Sequence, residues 1–236
     1  MVLLQIGEQF LAGLKQTTAL EYVAVVAGIA SVWFSKKENI LVYPVGLVNT
    51  IIYTWLSFKF HLIGESAVNF YYTVVSIWGW YLWSKKNTQQ QPVLHITYST
   101  AQQWLQQALF FGVLYLVIFS ALTYLKTAFY PGVIPWADAF ASATAFTGMW
   151  LMARKKVESW WWWLATNVAS IPLYFIKGLV FTSLYYAVLL VLAVLGLWEW
   201  KQKAVTQRGN SNYSNFSGDP ASENMSNHFV NPAQPK

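Results

Sequence analysis

The sequence predicts an all-α membrane protein of seven transmembrane helices, arranged as two parallel three-helix repeats joined by a linker helix, and three observations carry that prediction. The 236 residues are 56% hydrophobic and only 10% charged, whereas a soluble surface carries about a quarter charged residues. Seven apolar stretches are long enough to cross roughly 30 Å of hydrocarbon at about 1.5 Å per helical residue. A pattern of Trp, Asn and basic residues recurs at an interval near 118 residues.

The elements follow in chain order. Residues 1–18 place Glu8 and Lys15 in the first apolar stretch and lack the basic leader of a cleavable signal peptide. Leu3, Ile6, Phe10 and Leu14 share one helical face there, so an interfacial helix is expected. The first repeat covers 19–84, with spans near 19–35, 39–58 and 62–84. A loop over 85–103 leads to a linker helix over 104–125, and the second repeat covers 134–201, with spans near 134–153, 159–176 and 178–200. From Gln202 the chain is rich in Asn and Ser, contains Pro220, Pro232 and Pro235 and lacks apolar periodicity, which predicts a disordered tail over 202–236.

Charge sets the orientation, because positive loops stay in the cytoplasm. One side of the predicted bundle receives Lys15, Lys59, Lys126 and Lys177. The other receives Lys36, Lys37, Lys85, Lys86, Arg154, Lys155, Lys156, Lys201, Lys203 and Arg208, which puts the N-terminus outside and the loop 85–103 and C-terminus in the cytoplasm. Three helices cross an odd number of times, so two units joined directly would be inverted. The linker helix returns the chain to its starting side and makes the repeats parallel.

Composition also excludes functions. The net charge of +6 is scattered in ones, twos and threes with no basic stripe, so no nucleic-acid partner is expected. Without cysteine there is no disulfide or thiolate metal site, and His61, His95 and His228 fall in three separate loops or tails, so neither metal nor cofactor is expected. Paired carboxylates at depth, a Gly-rich phosphate loop and a nucleophile elbow are also missing, and the chain does not read as an enzyme.

The candidate binding residues lie on three helices. On the sixth span Trp160, Trp163, Asn167 and Tyr174 form one stripe, while Trp161 and Trp162 fit an interfacial belt. The second span aligns Asn49 and Tyr53 beyond Pro44 and Gly46, which can kink it. On the third, Asn69 and Tyr72 share a narrow face with Glu65, Ser76 and Trp83. A mid-membrane amide is costly without a partner, so each either bonds a neighbouring helix or lines a cavity. Phenols, indoles and amides with almost no charge at depth suit passive movement of a small, flat, polar heteroaromatic molecule. A receptor or assembly module, or an intramembrane enzyme, are the competing classes.

Trp160-x-x-Trp163-x-x-x-Asn167 followed by Tyr174 resembles the signature of the PnuC family of bacterial nicotinamide riboside transporters. Pro44-x-Gly46-x-x-Asn49, Glu65-x-x-x-Asn69-x-x-Tyr72 and Gly79-Trp80-x-x-Trp83 support the resemblance, which spans residues 19–201. It implies a 3+1+3 fold like that of SWEET facilitators, a homotrimer in the bacterial inner membrane, and facilitated diffusion of a pyridine nucleoside for NAD biosynthesis. Uptake would be made one-way by a cytosolic kinase that phosphorylates the product. Related members carry thiamine or riboflavin. The chain departs from the pattern at Tyr185-Tyr186, where the second repeat has no amide matching Asn69.

Overall fold

The computed structural model describes residues 18–59, 63–128 and 133–217, and among them it places seven α-helices and no strand. Helix α1 (Ala19–Lys36) starts at a capping box, Thr18 Oγ1 accepting the Glu21 amide at 3.3 Å and Glu21 Oε2 accepting the Thr18 amide at 2.6 Å. It ends in basic residues, and Glu38 turns the chain with φ 60°. Helices α2 (Val42–Lys59) and α3 (Ile63–Ser84) follow. In the next loop Asn87 Oδ1 accepts the amides of Gln89 and Gln91, each at 2.9 Å. Then come α4 (Ala101–Ala128), α5 (Pro135–Ala153), α6 (Ser159–Ile176) and α7 (Val180–Ser217). Proline at the start of α5 loses no helical bond, and Gly178 supplies the φ of +76° that turns α6 into α7.

The helices match the predicted spans to within a few residues except at the C-terminal end. Where disorder is expected from Gln202, α7 continues to Ser217. Tertiary contacts hold its first part: Ala204 is buried in the core cluster, and Lys203 Nζ donates to the Lys37 carbonyl at 3.0 Å. Composition does not report such contacts. The interfacial helix expected before Thr18 and the stretch 218–236 lie outside the described residues.

By length and mean hydropathy alone, α1, α4 and α7 are apolar enough to cross a membrane. Helices α2, α3 and α6 are rich in Trp, Tyr, Ser, Thr and Asn, which lower a hydropathy average without forbidding burial; α6 opens with Ser159 and four consecutive Trp. On α4, Leu105, Leu109, Val113, Leu116 and Val117 are all exposed, an outer face suited to acyl chains.

Helix α2 packs against α1 and α3, α6 against α5 and α7, and α4 against α5. Two further crossings, α1 with α7 and α3 with α5, join the triads α1–α3 and α5–α7. On α5 the buried Ala139, Ala143, Thr144, Thr147 and Gly148 let neighbouring helices approach closely.

Contacts recur between the triads at the interval of 117 residues that separates Glu38 from Lys155. Ser66 Oγ donates to the Thr54 carbonyl and, at the same interval, Ser183 Oγ to that of Ile171. The Tyr43 ring lies over Gly79 as the Trp160 ring lies over Gly196, and a Cβ on either glycine would overlap the ring. An interval of 118 aligns Asn49 with Asn167, but the fold aligns Asn49 with Thr166 and Thr50 with Asn167. One residue turns a helical side chain by about 100°, so the two amides are not symmetric partners.

Candidate substrate site

Aromatic rings from α3, α5 and α6 meet between the triads. Tyr72 lies 6.3 Å from Trp163 and 6.0 Å from Phe146, centroid to centroid. Behind it Tyr71 packs on Phe146 at 4.4 Å, and its hydroxyl donates to the Phe146 carbonyl at 3.1 Å. Trp163 reaches this position because Gly148 on α5 leaves room: a Cβ there would sit 3.3 Å from the indole.

One turn beyond Trp163 on the same face, Asn167 is 2% exposed, and its Oδ1 has no hydrogen-bond partner among the described residues. A buried acceptor left unpaired costs free energy comparable to a lost hydrogen bond. Asn49 differs, since its Nδ2 donates to the Ala24 carbonyl at 2.7 Å and ties α2 to α1. Gly28 makes this possible: a Cβ there would come within 2.6 Å of Tyr185 Oη and 2.8 Å of Asn49 Nδ2. Both polar groups therefore converge on the backbone of α1.

The other predicted residues separate by depth. Tyr53 is half-buried on α2 and an electrostatic neighbour of Tyr185, while Tyr72 neighbours Tyr185 and Tyr186. Asn69 is half-buried on α3, and its carbonyl accepts the Thr73 hydroxyl at 2.9 Å. Tyr174 stacks on Tyr186 at 5.2 Å with rings 10° from parallel. Trp160 stands apart at the basic end, 1% exposed, edge-on to Trp200 at 5.6 Å, its Nε1 without a partner among the described residues.

Tyr185, Tyr186 and Phe146 are the neighbours of this group that sequence reasoning left out of the site. In an apolar helix such rings look like lipid-facing or packing residues. One signal was present, the Tyr pair standing where an amide was expected. Trp161 behaves as a belt residue, exposed and with Lys201 Nζ 4.9 Å over its ring. Trp162 does not: its Nε1 donates to Gln107 Oε1 at 3.1 Å and docks α6 on α4.

Among the described residues, the acidic and basic side chains of the helices lie in their end turns or in the extension of α7 past Trp198. Lys177 pairs with Asp138 at one end of α5 and α6. The opposite end gathers Lys36, Lys37, Glu38, Lys155, Glu199 and Lys203 into ion pairs. No group of His, Asp or Glu among the described residues has the geometry to hold a metal ion. Two open hollows border the extension of α7, near Tyr98 and Lys201 and near Glu38 and Lys203, and none of the eight predicted residues lines them.

Apolar spans and a ring-lined, nearly uncharged interior among the described residues fit a multi-pass membrane protein of the transporter class. Comparison with known proteins agrees. The chain belongs to the nicotinamide mononucleotide transporter family, whose profile matches residues 18–202. It is 25% identical over 219 residues to the nicotinamide riboside transporter PnuC of Escherichia coli, covering 84% of this chain and 91% of that one. The riboflavin/roseoflavin transporter RibM of Streptomyces davaonensis is 23% identical over 181 residues, 74% of this chain and 81% of its own length. A crystal structure of the vitamin B3 transporter PnuC has the same fold, with a TM-score of 0.61 at 24% identity over 86% of this chain and 90% of that chain.

Proposed function

We propose that the chain carries nicotinamide riboside across the bilayer by facilitated diffusion. One observation carries the reading: the Trp163 ring, 6.3 Å from that of Tyr72, stands one turn from Asn167, whose buried oxygen has no partner among the described residues. A pyridinium ring gains stacking and cation-π attraction from such faces, about 0.5–2 kcal/mol per good contact. The Asn167 oxygen accepts a carboxamide N–H or a ribose O–H. The stripe from Trp160 to Tyr174 is roughly 21 Å long at the helical rise, more than one nucleoside fills. Trp163, Asn167 and Tyr72 therefore hold the ligand, and Asn49, Tyr53 and Asn69, with Tyr185 and Tyr186, form the facing wall. Tyr174 bounds the site on one side and Trp160 on the other.

The rest of the reading follows from this centre. All seven helices span the membrane as two parallel triads with α4 as linker, a reading supported by the contacts that recur at 117 residues and by the basic clusters meeting at one end. That end faces the cytoplasm, with the N-terminus outside, in the bacterial inner membrane. Interior rings and amides, with the charged side chains of the described helices kept to the ends of the bundle, favour passive movement, with a cytosolic kinase trapping the product. The chain assembles as a homotrimer, as the family resemblance implies. The similarity to RibM supports riboflavin as the second reading, since the same rings stack on a flavin.

Purified protein in liposomes tests this. Nicotinamide riboside is expected to equilibrate down its gradient, faster than thiamine or riboflavin and independently of any proton or sodium gradient. Preferential riboflavin passage moves the assignment to the second reading. Failure to bind or pass all three sinks the proposal, and a stoichiometric membrane partner on co-purification would then favour a receptor or assembly module.

A further inference from the structure

We propose that the two triads are latched shut at the basic end by Trp83 and Trp200 together with the Glu38–Lys155 ion pair, and that this latch opens for substrate to leave there. The proposal rests on the transporter reading above.

The same bond is made twice. Trp83 Nε1, on α3, donates to the Ala153 carbonyl of α5 at 3.1 Å. At the interval of Glu38 to Lys155, Trp200 Nε1, on α7, donates to the Lys36 carbonyl of α1 at 3.2 Å, and to that of Ser35 at 3.0 Å. Each acceptor lies in the last turn of a helix, where carbonyls have no partner within the helix. Each indole therefore caps the first helix of the other triad.

Glu38 and Lys155 follow those two helix ends at equivalent positions, both left-handed, with φ 60° and 52°. Equivalent residues that touch must lie close to the axis relating the triads. A strictly duplicated chain would bring identical side chains together there, and identical charges repel. Here one is an acid and the other a base, paired at 2.8 Å with Lys155 almost fully buried. Lys155 Nζ also sits 4.6 Å over the Trp83 ring, so the ion pair and the indole brace each other.

The rings close the remaining gap. Tyr43 meets Trp83 edge-on at 5.2 Å, as Trp160 meets Trp200 at 5.6 Å, and Trp83 lies 6.1 Å from Trp200. Among the described residues every ion pair that joins the triads lies at this end, whereas Lys177–Asp138 at the other end stays within one triad. The hydrogen bonds of two indoles, that of Lys203 to the Lys37 carbonyl and a few ion pairs can be exchanged for water when the ends part, with the packing inside each triad kept.

The absence of cysteine allows a clean test. Spin labels at K37C and R154C, exposed neighbours of the latch at equivalent positions, report the separation of the triads in proteoliposomes. A short and a longer distance are expected, and W83F with W200F, which keeps aromatic rings but removes both donors, should raise the longer population severalfold. Should that variant not fold, K155M gives the same readout. A longer population that the substitutions leave unchanged, or a single short distance in every variant, overturns the latch. A separate uptake assay in which the unsubstituted chain passes no nicotinamide riboside, thiamine or riboflavin overturns the transporter reading and leaves the distance result to stand by itself.

Discussion

Asn167 and Asn49 look alike in the sequence and differ in the fold. Asn49 spends its amide on α1, so replacing it loosens helix packing, whereas the Asn167 oxygen has no partner among the described residues. Asn167→Leu is therefore expected to leave the thermal midpoint unchanged or slightly raised. It should weaken nicotinamide riboside roughly ten- to hundredfold, the loss of about 1.5–3 kcal/mol for one buried hydrogen bond, as read by calorimetric titration. In the same titration Trp163→Ala should also cost at least about tenfold, since it removes the ring facing Tyr72. Trp161→Ala, at a ring 49% exposed, should stay within about twofold. An equal loss from Trp161→Ala and Trp163→Ala would count against the assignment of the stripe.

Helices approach one another through glycines whose importance differs sharply. A Cβ at Gly79 or Gly196 runs into the Tyr43 or Trp160 ring, whereas at Gly112 on α4 it meets nothing within 4 Å. Gly79→Ala and Gly196→Ala should each cost about 1–3 kcal/mol by overpacking, and Gly112→Ala should be neutral or up to about 1 kcal/mol stabilising through helix propensity. Thermal unfolding in detergent ranks the three.

The loop before α4 depends on Glu158, which is 4% exposed and accepts the Ser99 amide at 2.9 Å and hydroxyl at 2.8 Å. Gln107 Nε2 donates to Ser99 Oγ, and Gln107 Oε1 accepts from Trp162, so one polar chain ties the loop, α4 and α6 together. Glu158→Ala should cost about 2–3 kcal/mol, and Glu158→Gln less, with ligand affinity of the folded fraction unchanged. A large affinity loss with unchanged stability would contradict a structural role for Glu158.

At the scale of the molecule the testable statement is which end faces the cytoplasm. Single cysteines K59C and Q89C, in a chain that otherwise has none, place a label at each end of the bundle. A membrane-impermeant maleimide applied to intact cells is expected to reach K59C and to spare Q89C. The reverse pattern would invert the orientation, and equal labelling of both would refute a single topology. Joined at one end by ion pairs that cross between α1–α3 and α5–α7, the bundle can alter its access by parting there while each triad keeps its packing.

Hydrophobic run length, charge asymmetry and the mid-helix amides are local properties, and the sequence by itself determined what depends on them. These are the helical class, the position of each helix to within a few residues, and Trp163, Asn167 and Tyr72 as candidates. Properties of pairs were decided only by the tertiary structure. Matching contacts fall 117 residues apart where like residues fall 118 apart, since helix register follows packing while alignment follows like residues. The helix past Gln202 persists because Lys203 and Ala204 find partners on distant segments. Trp160 belongs to the closure at the basic end and Asn49 to α1, because the chemistry of a ring or an amide does not say what it will touch. Tyr185 and Tyr186 stand beside the predicted residues because α7 packs on α6 and also folds back beside α1, and the second of these relations joins segments more than a hundred residues apart that no window along the chain contains.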